Sequence, residues 1–223
     1  MHRTRIKICG ITRPADALAA AEAGADAIGI VMHAGSKRFV GEDGAREIVR
    51  VVPPFVWRVG LFVDGEPAEI LATARRLGLS AVQLHGNESP EMVAALQPIQ
   101  VIKAIHVTAQ LGQELTRWRQ AIESLKLTNL TGLLFDSHTD HVPGGSGVAN
   151  DWELLGKHVV AGDLRGLPHW IAAGGLTPAN VGEVVRKLRP WAVDVSSGVE
   201  AKVREKSAEL IGEFVCAVRL ADG

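Results

Sequence analysis

The chain has 223 residues, 47% of them hydrophobic and 22% charged, with a formal net charge of −1. A near-neutral balance gives no electrostatic footprint for nucleic acid or for an anionic membrane, and the longest apolar runs, broken by Glu22, Asp26 and glycines, fall short of a membrane span. Two cysteines, Cys9 and Cys216, make no disulfide framework, and no apolar signal core follows the basic stretch 1–5, so the sequence reads as a cytoplasmic protein.

Short apolar runs alternate with helical patterns from end to end. The first strand, 5–8, runs into Cys9-Gly10-Ile11-Thr12-Arg13, where Thr12 is a candidate N-cap and Pro14 suits the first turn of a helix over 15–23 that stops at Gly24. Strands follow at 27–32 and 56–62, then a helix over 67–77 stopped by Gly78, and a strand at 81–84. Ser89 precedes Pro90 at a helix start. A strand at 101–105, a helix of uncertain limits within 110–129, and a strand at 132–135 come next. The last strands are 169–173 and 192–195, separated by a helix that Thr177-Pro178 opens and Pro190 follows; Cys216 lies in a C-terminal helix. Most strands are continuous apolar runs, as expected of parallel strands covered on both faces.

Eight strand–helix units of roughly 28 residues each match the size of a βαβ element. They point to α/β architecture, with residues 1–223 forming one closed (β/α)8 barrel. No Gly-x-Gly-x-x-Gly turn follows the first strand, which argues against a dinucleotide-binding sheet. In a barrel, chemistry sits just past the carboxyl ends of the strands. After strand seven comes Gly174-Gly175, and after strand eight Ser196-Ser197-Gly198. Two small-residue loops there, with a short helix beginning near Ser197, suit a phosphate held by backbone N–H groups. Arg38, after strand two, is either half of a solvated basic pair or the grip for a ligand carboxylate through its planar fork. Asp136 closes strand six as a turn former or as an acid at the barrel mouth. Gln83 and His85 add polar groups at the same rim. Cys9, alone, could be a small buried hydrophobe, but its place at a strand end makes it a candidate thiol. Lys7 shares its strand face, where an ammonium would favour the thiolate.

Taken together, these strings resemble the phosphoribosylanthranilate isomerase family of tryptophan biosynthesis. The resemblance runs through Lys7-Ile8-Cys9-Gly10-Ile11-Thr12, Ser36-Lys37-Arg38, Val82-Gln83-Leu84-His85-Gly86, Gly144-Gly145-Ser146-Gly147, Asp151-Trp152, Ala173-Gly174-Gly175-Leu176 and Asp194-Val195-Ser196-Ser197-Gly198-Val199-Glu200, nearly the whole chain in order. It implies an Amadori rearrangement of N-(5-phosphoribosyl)anthranilate, with Asp136 as general acid, Cys9 as general base and no metal or organic cofactor. It further implies that Arg38 holds the anthranilate carboxylate, that Asp194 contacts the sugar or orders its loop, and that Gly174, Gly175, Ser197 and Gly198 hold the phosphate. The expected partner is a small phosphosugar, with no nucleic acid and no membrane, and the chain is expected to be a monomer or homodimer.

The sequence departs from the family pattern at Met32-His33-Ala34-Gly35, at Asn150, and after Glu200, where Pro-Gly and Lys-Asp are more usual. The run Asp136-Ser137-His138-Thr139-Asp140-His141 could suggest zinc, but reads better as a solvated polar loop, so no metal is assigned. The related histidine-pathway isomerase would show a two-fold repeat and an Asp in place of Cys9. A non-catalytic phosphosugar-binding barrel would have no use for both Cys9 and Asp136.

Overall fold

The computed structural model describes residues 3–136 and 152–223. Eight parallel strands close into a barrel in chain order: β1 (Arg5–Ile8), β2 (Ala27–Val31), β3 (Trp57–Phe62), β4 (Ala81–Leu84), β5 (Gln100–His106), β6 (Leu130–Asp136), β7 (His169–Ala173) and β8 (Ala192–Val195), with β1 pairing both β2 and β8. The expected strands over 5–8, 81–84, 169–173 and 192–195 have these limits, while β5 and β6 each extend beyond the expected runs to reach His106 and Asp136.

Because successive side chains of a strand point to opposite faces, one parity of each strand faces the helices and the other fills the barrel. Ile6, Ile8, Ile28, Ile30, Val82, Leu84, Leu133, Phe135, Val193 and Val195 belong to the large outer core. Burial of each is worth about 1.5–3 kcal/mol before entropy is counted. Val59, Ala81, Ile102, Ala104, Leu134, Ile171, Ala173 and Ala192 form a separate cluster inside the barrel. Following that inner parity toward the carboxyl ends leads to Lys7 and Cys9, Gln83 and His85, His106, Asp136, and Asp194 and Ser196. The apolar inner layer thus gives way at one end to a polar one.

The helices are α1 (Pro14–Glu22), α2 (Glu42–Val51), α3 (Pro67–Leu77), α4 (Pro90–Ala95), α5 (Leu111–Leu125), α6 (Trp152–Ala161), α7 (Val181–Leu188) and α8 (Ala208–Asp222), the last carrying Cys216. Pro14, Pro67 and Pro90 open their helices, as their fixed φ favours. Two expected caps are corrected. Thr12 does not cap α1, whose N-cap is Arg13; the Thr12 hydroxyl donates instead to the Arg204 carbonyl. Thr177-Pro178 does not open α7, because Asn180 accepts from the Thr177 N–H and donates to the Gly175 carbonyl, closing a turn before the helix begins. A small antiparallel hairpin, β9 (Glu200–Lys202) with β10 (Glu205–Lys206), follows β8 and was not expected. Among the described residues no helix is long and apolar enough to cross a membrane.

Lys103 on β5 points outward into a wholly protein environment. Its Nζ donates to Glu88 at 2.9 Å and to the Gly86 carbonyl at 2.7 Å, while Glu88 accepts from the Asp64 and Gly86 backbone N–H groups. The pair joins the loops after β3 and β4. Lys103→Met leaves the Glu88 carboxylate buried without its cation, and is expected to cost about 3–5 kcal/mol in urea unfolding. The exposed Lys187–Glu183 pair is expected to cost under about 1 kcal/mol when broken. Equal losses in the two variants would contradict this placement.

Candidate active site

At the carboxyl end of β1 and β8 a buried charge pair stands beside the thiol. Lys7 and Asp194 are register partners, and Lys7 Nζ donates to Asp194 Oδ1 at 2.8 Å, with both side chains less than a tenth exposed. The ladder continues one residue further, since the Cys9 N–H donates to the Val195 carbonyl at 2.8 Å. Cys9 is consequently held on the inner face, buried, with its sulfur against β2 at Gly29, where the Lys7 ammonium also lies. Burial lowers the proton affinity of Lys7, but Asp194 and Cys9 hold its pKa above the usual lysine value. Burial also pushes the Cys9 thiol up, and Lys7, acting in the opposite direction, does not overcome it. The sequence expectation was right about proximity and incomplete about the outcome, because desolvation of a thiolate exceeds one ammonium's pull.

Across the mouth, β4 and β6 supply a second group. The Gln83 amide nitrogen lies 2.8 Å from His85 Nδ1, and His85 Nε2 lies 3.4 Å from Asp136 Oδ2. With the amide in this orientation Nδ1 accepts, so the imidazole N–H is on Nε2 and faces the carboxylate. The Gln83 carbonyl oxygen is buried with no partner among the described residues. The His106 ring meets the His85 ring edge to face at 6.0 Å. His106 was not singled out in the sequence, where its place at the tip of β5 was hidden by the underestimated strand length.

The third cluster centres on Arg38. Its Nε and Nη2 donate in a two-pronged contact to Glu200 at 2.7 and 2.6 Å, and Lys206 Nζ reaches the same carboxylate at 3.1 Å. Burial pushes the Glu200 carboxyl up, but Arg38 and Lys206 outweigh it and hold the carboxyl below the usual range. Lys206 also donates to the Ser196 carbonyl at 2.9 Å. Arg38 is therefore not a solvated basic pair with Lys37. Glu200 and Lys206 carry this arrangement, and neither was assigned a role from sequence. Gly10 connects the clusters: its φ is +71°, and a Cβ there would lie 2.5 Å from Arg38 Cδ and 2.9 Å from Ser196 Oγ. Only glycine fits both the backbone and the space.

The two small-residue loops meet. Gly198 packs so closely that a Cβ would lie 1.9 Å from the Leu176 carbonyl oxygen, which brings loop 196–198 onto loop 174–177. The expected short helix is a single 3-10 turn, Ser197–Val199. A turn of that length has no useful macrodipole, so any anion there depends on individual N–H groups. The strings at 137–151, including His138, His141, Gly144 to Gly147, Asn150 and Asp151, lie outside the described residues. Among the described residues no group of three His, Cys, Asp or Glu could hold a metal ion.

Residues 6–217 match the family model described as N-(5'-phosphoribosyl)anthranilate (PRA) isomerase. The chain is 43% identical over 220 residues to N-(5'-phosphoribosyl)anthranilate isomerase of Halorhodospira halophila, covering 99% of each. It superposes on a crystal structure of phosphoribosyl anthranilate isomerase from Thermotoga maritima with a TM-score of 0.83, at 39% identity over 97% of this chain and 98% of that one. A crystal structure of a phosphoribosyl anthranilate isomerase in complex with reduced 1-(o-carboxyphenylamino)-1-deoxyribulose 5-phosphate gives a TM-score of 0.80 at 37% identity, again over 97% of this chain and 98% of that one.

Proposed function

The chain belongs to the N-(5'-phosphoribosyl)anthranilate isomerase family, and from that premise we propose that Cys9 and Asp136 are the proton-transfer pair of its reaction in tryptophan biosynthesis. The observation that supports this most is the common inner parity of the two residues. A buried thiol and a carboxylate both face the barrel interior at the end where the strands terminate.

The substrate is an aminoaldose in its furanose form. Asp136 gives a proton to the ring oxygen as the C1–O bond breaks, and the anthranilate nitrogen lone pair forms the C1=N bond of a protonated Schiff base. Cys9, as thiolate, removes the proton from C2. The C2–H electrons become the C1=C2 bond, and the nitrogen recovers its lone pair, giving an enolamine. Loss of the C2 hydroxyl proton and protonation of C1 give the 1-amino-1-deoxyketose. Atoms and charge balance with no external oxidant or reductant.

The residues around the pair suit these demands. An ordinary Asp titrates near ~3.9, and the like charge of a substrate phosphate and carboxylate favours its protonated form. The raised Cys9 thiol stays largely protonated in the free enzyme, but the Schiff base nitrogen is cationic at the moment when C2 must lose its proton. That charge favours thiolate and acidifies the C2–H bond. Lys7, kept as an ammonium by Asp194, supplies a fixed positive charge beside the sulfur. His85 Nε2, 3.4 Å from Asp136 Oδ2, orients the carboxyl group. The Gly174, Gly175, Ser196, Ser197 and Gly198 loops hold the substrate phosphate.

Arg38 takes the anthranilate carboxylate. Glu200 occupies the Nε/Nη2 edge of the guanidinium and leaves the Nη1/Nη2 edge without a hydrogen bond to it. Lys206 neutralises Glu200, so the guanidinium keeps attraction for a second carboxylate. Arg38→Met is expected to raise KM about 10- to 100-fold, the worth of a charge-assisted contact, with a smaller change in kcat. Steady-state kinetics with N-(5-phosphoribosyl)anthranilate generated in situ tests this, and an unchanged KM would remove Arg38 from binding.

A further inference from the structure

We propose that Arg204, at the tip of the hairpin after β8, is a positioning residue that fixes the loop bearing Arg38, a proposal that rests on Arg38 holding the substrate carboxylate. Arg204 is exposed, yet its backbone has φ +76°, the left-handed region that a residue with a Cβ adopts only under constraint. Such strain persists where surrounding contacts over-determine it, and here they are specific. Arg204 Nη1 donates to the Lys37 carbonyl at 3.0 Å and to the Phe39 carbonyl at 2.9 Å. These carbonyls belong to the residues on either side of Arg38. The Arg204 carbonyl accepts from the Thr12 hydroxyl, three residues after Cys9.

The same hairpin holds the other end of Arg38. Glu200, at the start of β9, takes the guanidinium, and Lys206, in β10, pins Glu200 and the Ser196 carbonyl. The Lys206 N–H donates to buried Asp16 at 3.2 Å, and Arg13 clamps Asp16. The hairpin thus joins the loops after β1, β2 and β8. Arg204 is its link to the backbone of the second loop, and Glu200 its link to the side chain. Burial gives no reason for an arginine at position 204, and a glycine would meet the backbone geometry without strain. What the arginine adds is the pair of carbonyl contacts.

Positioning separates from simple stability because strain relief and loss of the contacts act in opposite directions. Arg204→Gly is expected to leave the urea midpoint unchanged or raised, to raise KM about three- to tenfold as one or two exposed hydrogen bonds allow, and to leave kcat within twofold. Arg204→Lys, which keeps a cationic donor of similar reach, is expected to restore most of the KM. Adding Arg204→Gly to Arg38→Met should produce no further rise in KM. A wild-type KM in Arg204→Gly, or a KM rise accompanied by a lowered midpoint, overturns the proposal. If Arg38→Met itself leaves KM unchanged, the fault lies in the carboxylate assignment. A raised KM in Arg38→Met with none in Arg204→Gly isolates the fault to Arg204.

Discussion

Cys9→Ala is expected to lower kcat/KM by about 10²–10⁴-fold, the contribution of a positioned general base. Substrate affinity and the unfolding midpoint should change little, because the substitution removes one sulfur from a site already bounded by Gly29 and the Lys7–Asp194 pair. The same assignment fixes a pH dependence. Burial raises the Cys9 thiol above its ordinary value, so below that value the thiolate fraction grows about tenfold per pH unit. In Asp136→Asn, where the acid no longer titrates, the residual kcat/KM, which reports groups of the free enzyme, should therefore climb from neutrality into the alkaline range. The kcat profile should turn over at lower pH, because the cationic Schiff base favours thiolate once substrate is bound. A flat residual kcat/KM in Asp136→Asn between pH 6 and about 8.5 would remove the buried thiol as the base.

Asp136→Asn is expected to give a loss of similar size, about 10²–10⁴-fold in kcat. Asparagine keeps the shape of the side chain and a carbonyl oxygen toward His85 Nε2, 3.4 Å away in the wild type, but has no acidic proton to give to the ring oxygen. KM and the midpoint should stay near wild type, since the residue is partly exposed at the strand tip. Turnover at the wild-type rate in a folded Asp136→Asn protein would mean that ring opening takes its proton from elsewhere.

The barrel was legible because its evidence is periodic. Eight apolar runs with helical patterns between them specify eight parallel units, and strands such as 5–8 and 81–84 are bounded by residues that change character abruptly. The inner parity that gathers Lys7, Cys9, Gln83, His85, Asp136 and Asp194 follows once the strands are placed. What could not be read arises from contacts distant in sequence. Glu200 and Arg38 are separated by 162 positions, and nothing local to either forecasts a two-pronged pair. The hairpin at 200–206 was noticed only as a stretch departing from an expected pattern, although its two short strands position Lys206 and Arg204. The start of α7 was misplaced for a different reason. Thr177-Pro178 is a good local opening, but the Asn180 side chain offers the loop backbone a competing set of hydrogen bonds. For Cys9, proximity to Lys7 was readable from the two-residue spacing, whereas the strength of desolvation depends on the closed barrel around it.

The most direct test is turnover of N-(5-phosphoribosyl)anthranilate, generated in situ without added metal, by wild type and by Cys9→Ala/Asp136→Asn, with product identity established by NMR. Wild type should convert the substrate to the 1-amino-1-deoxyketose. The folded double variant should fall about as far as the worse single variant, because two groups serving one reaction sequence are not additive. Conversion by the double variant at a rate near wild type would contradict the assignment of this acid–base pair.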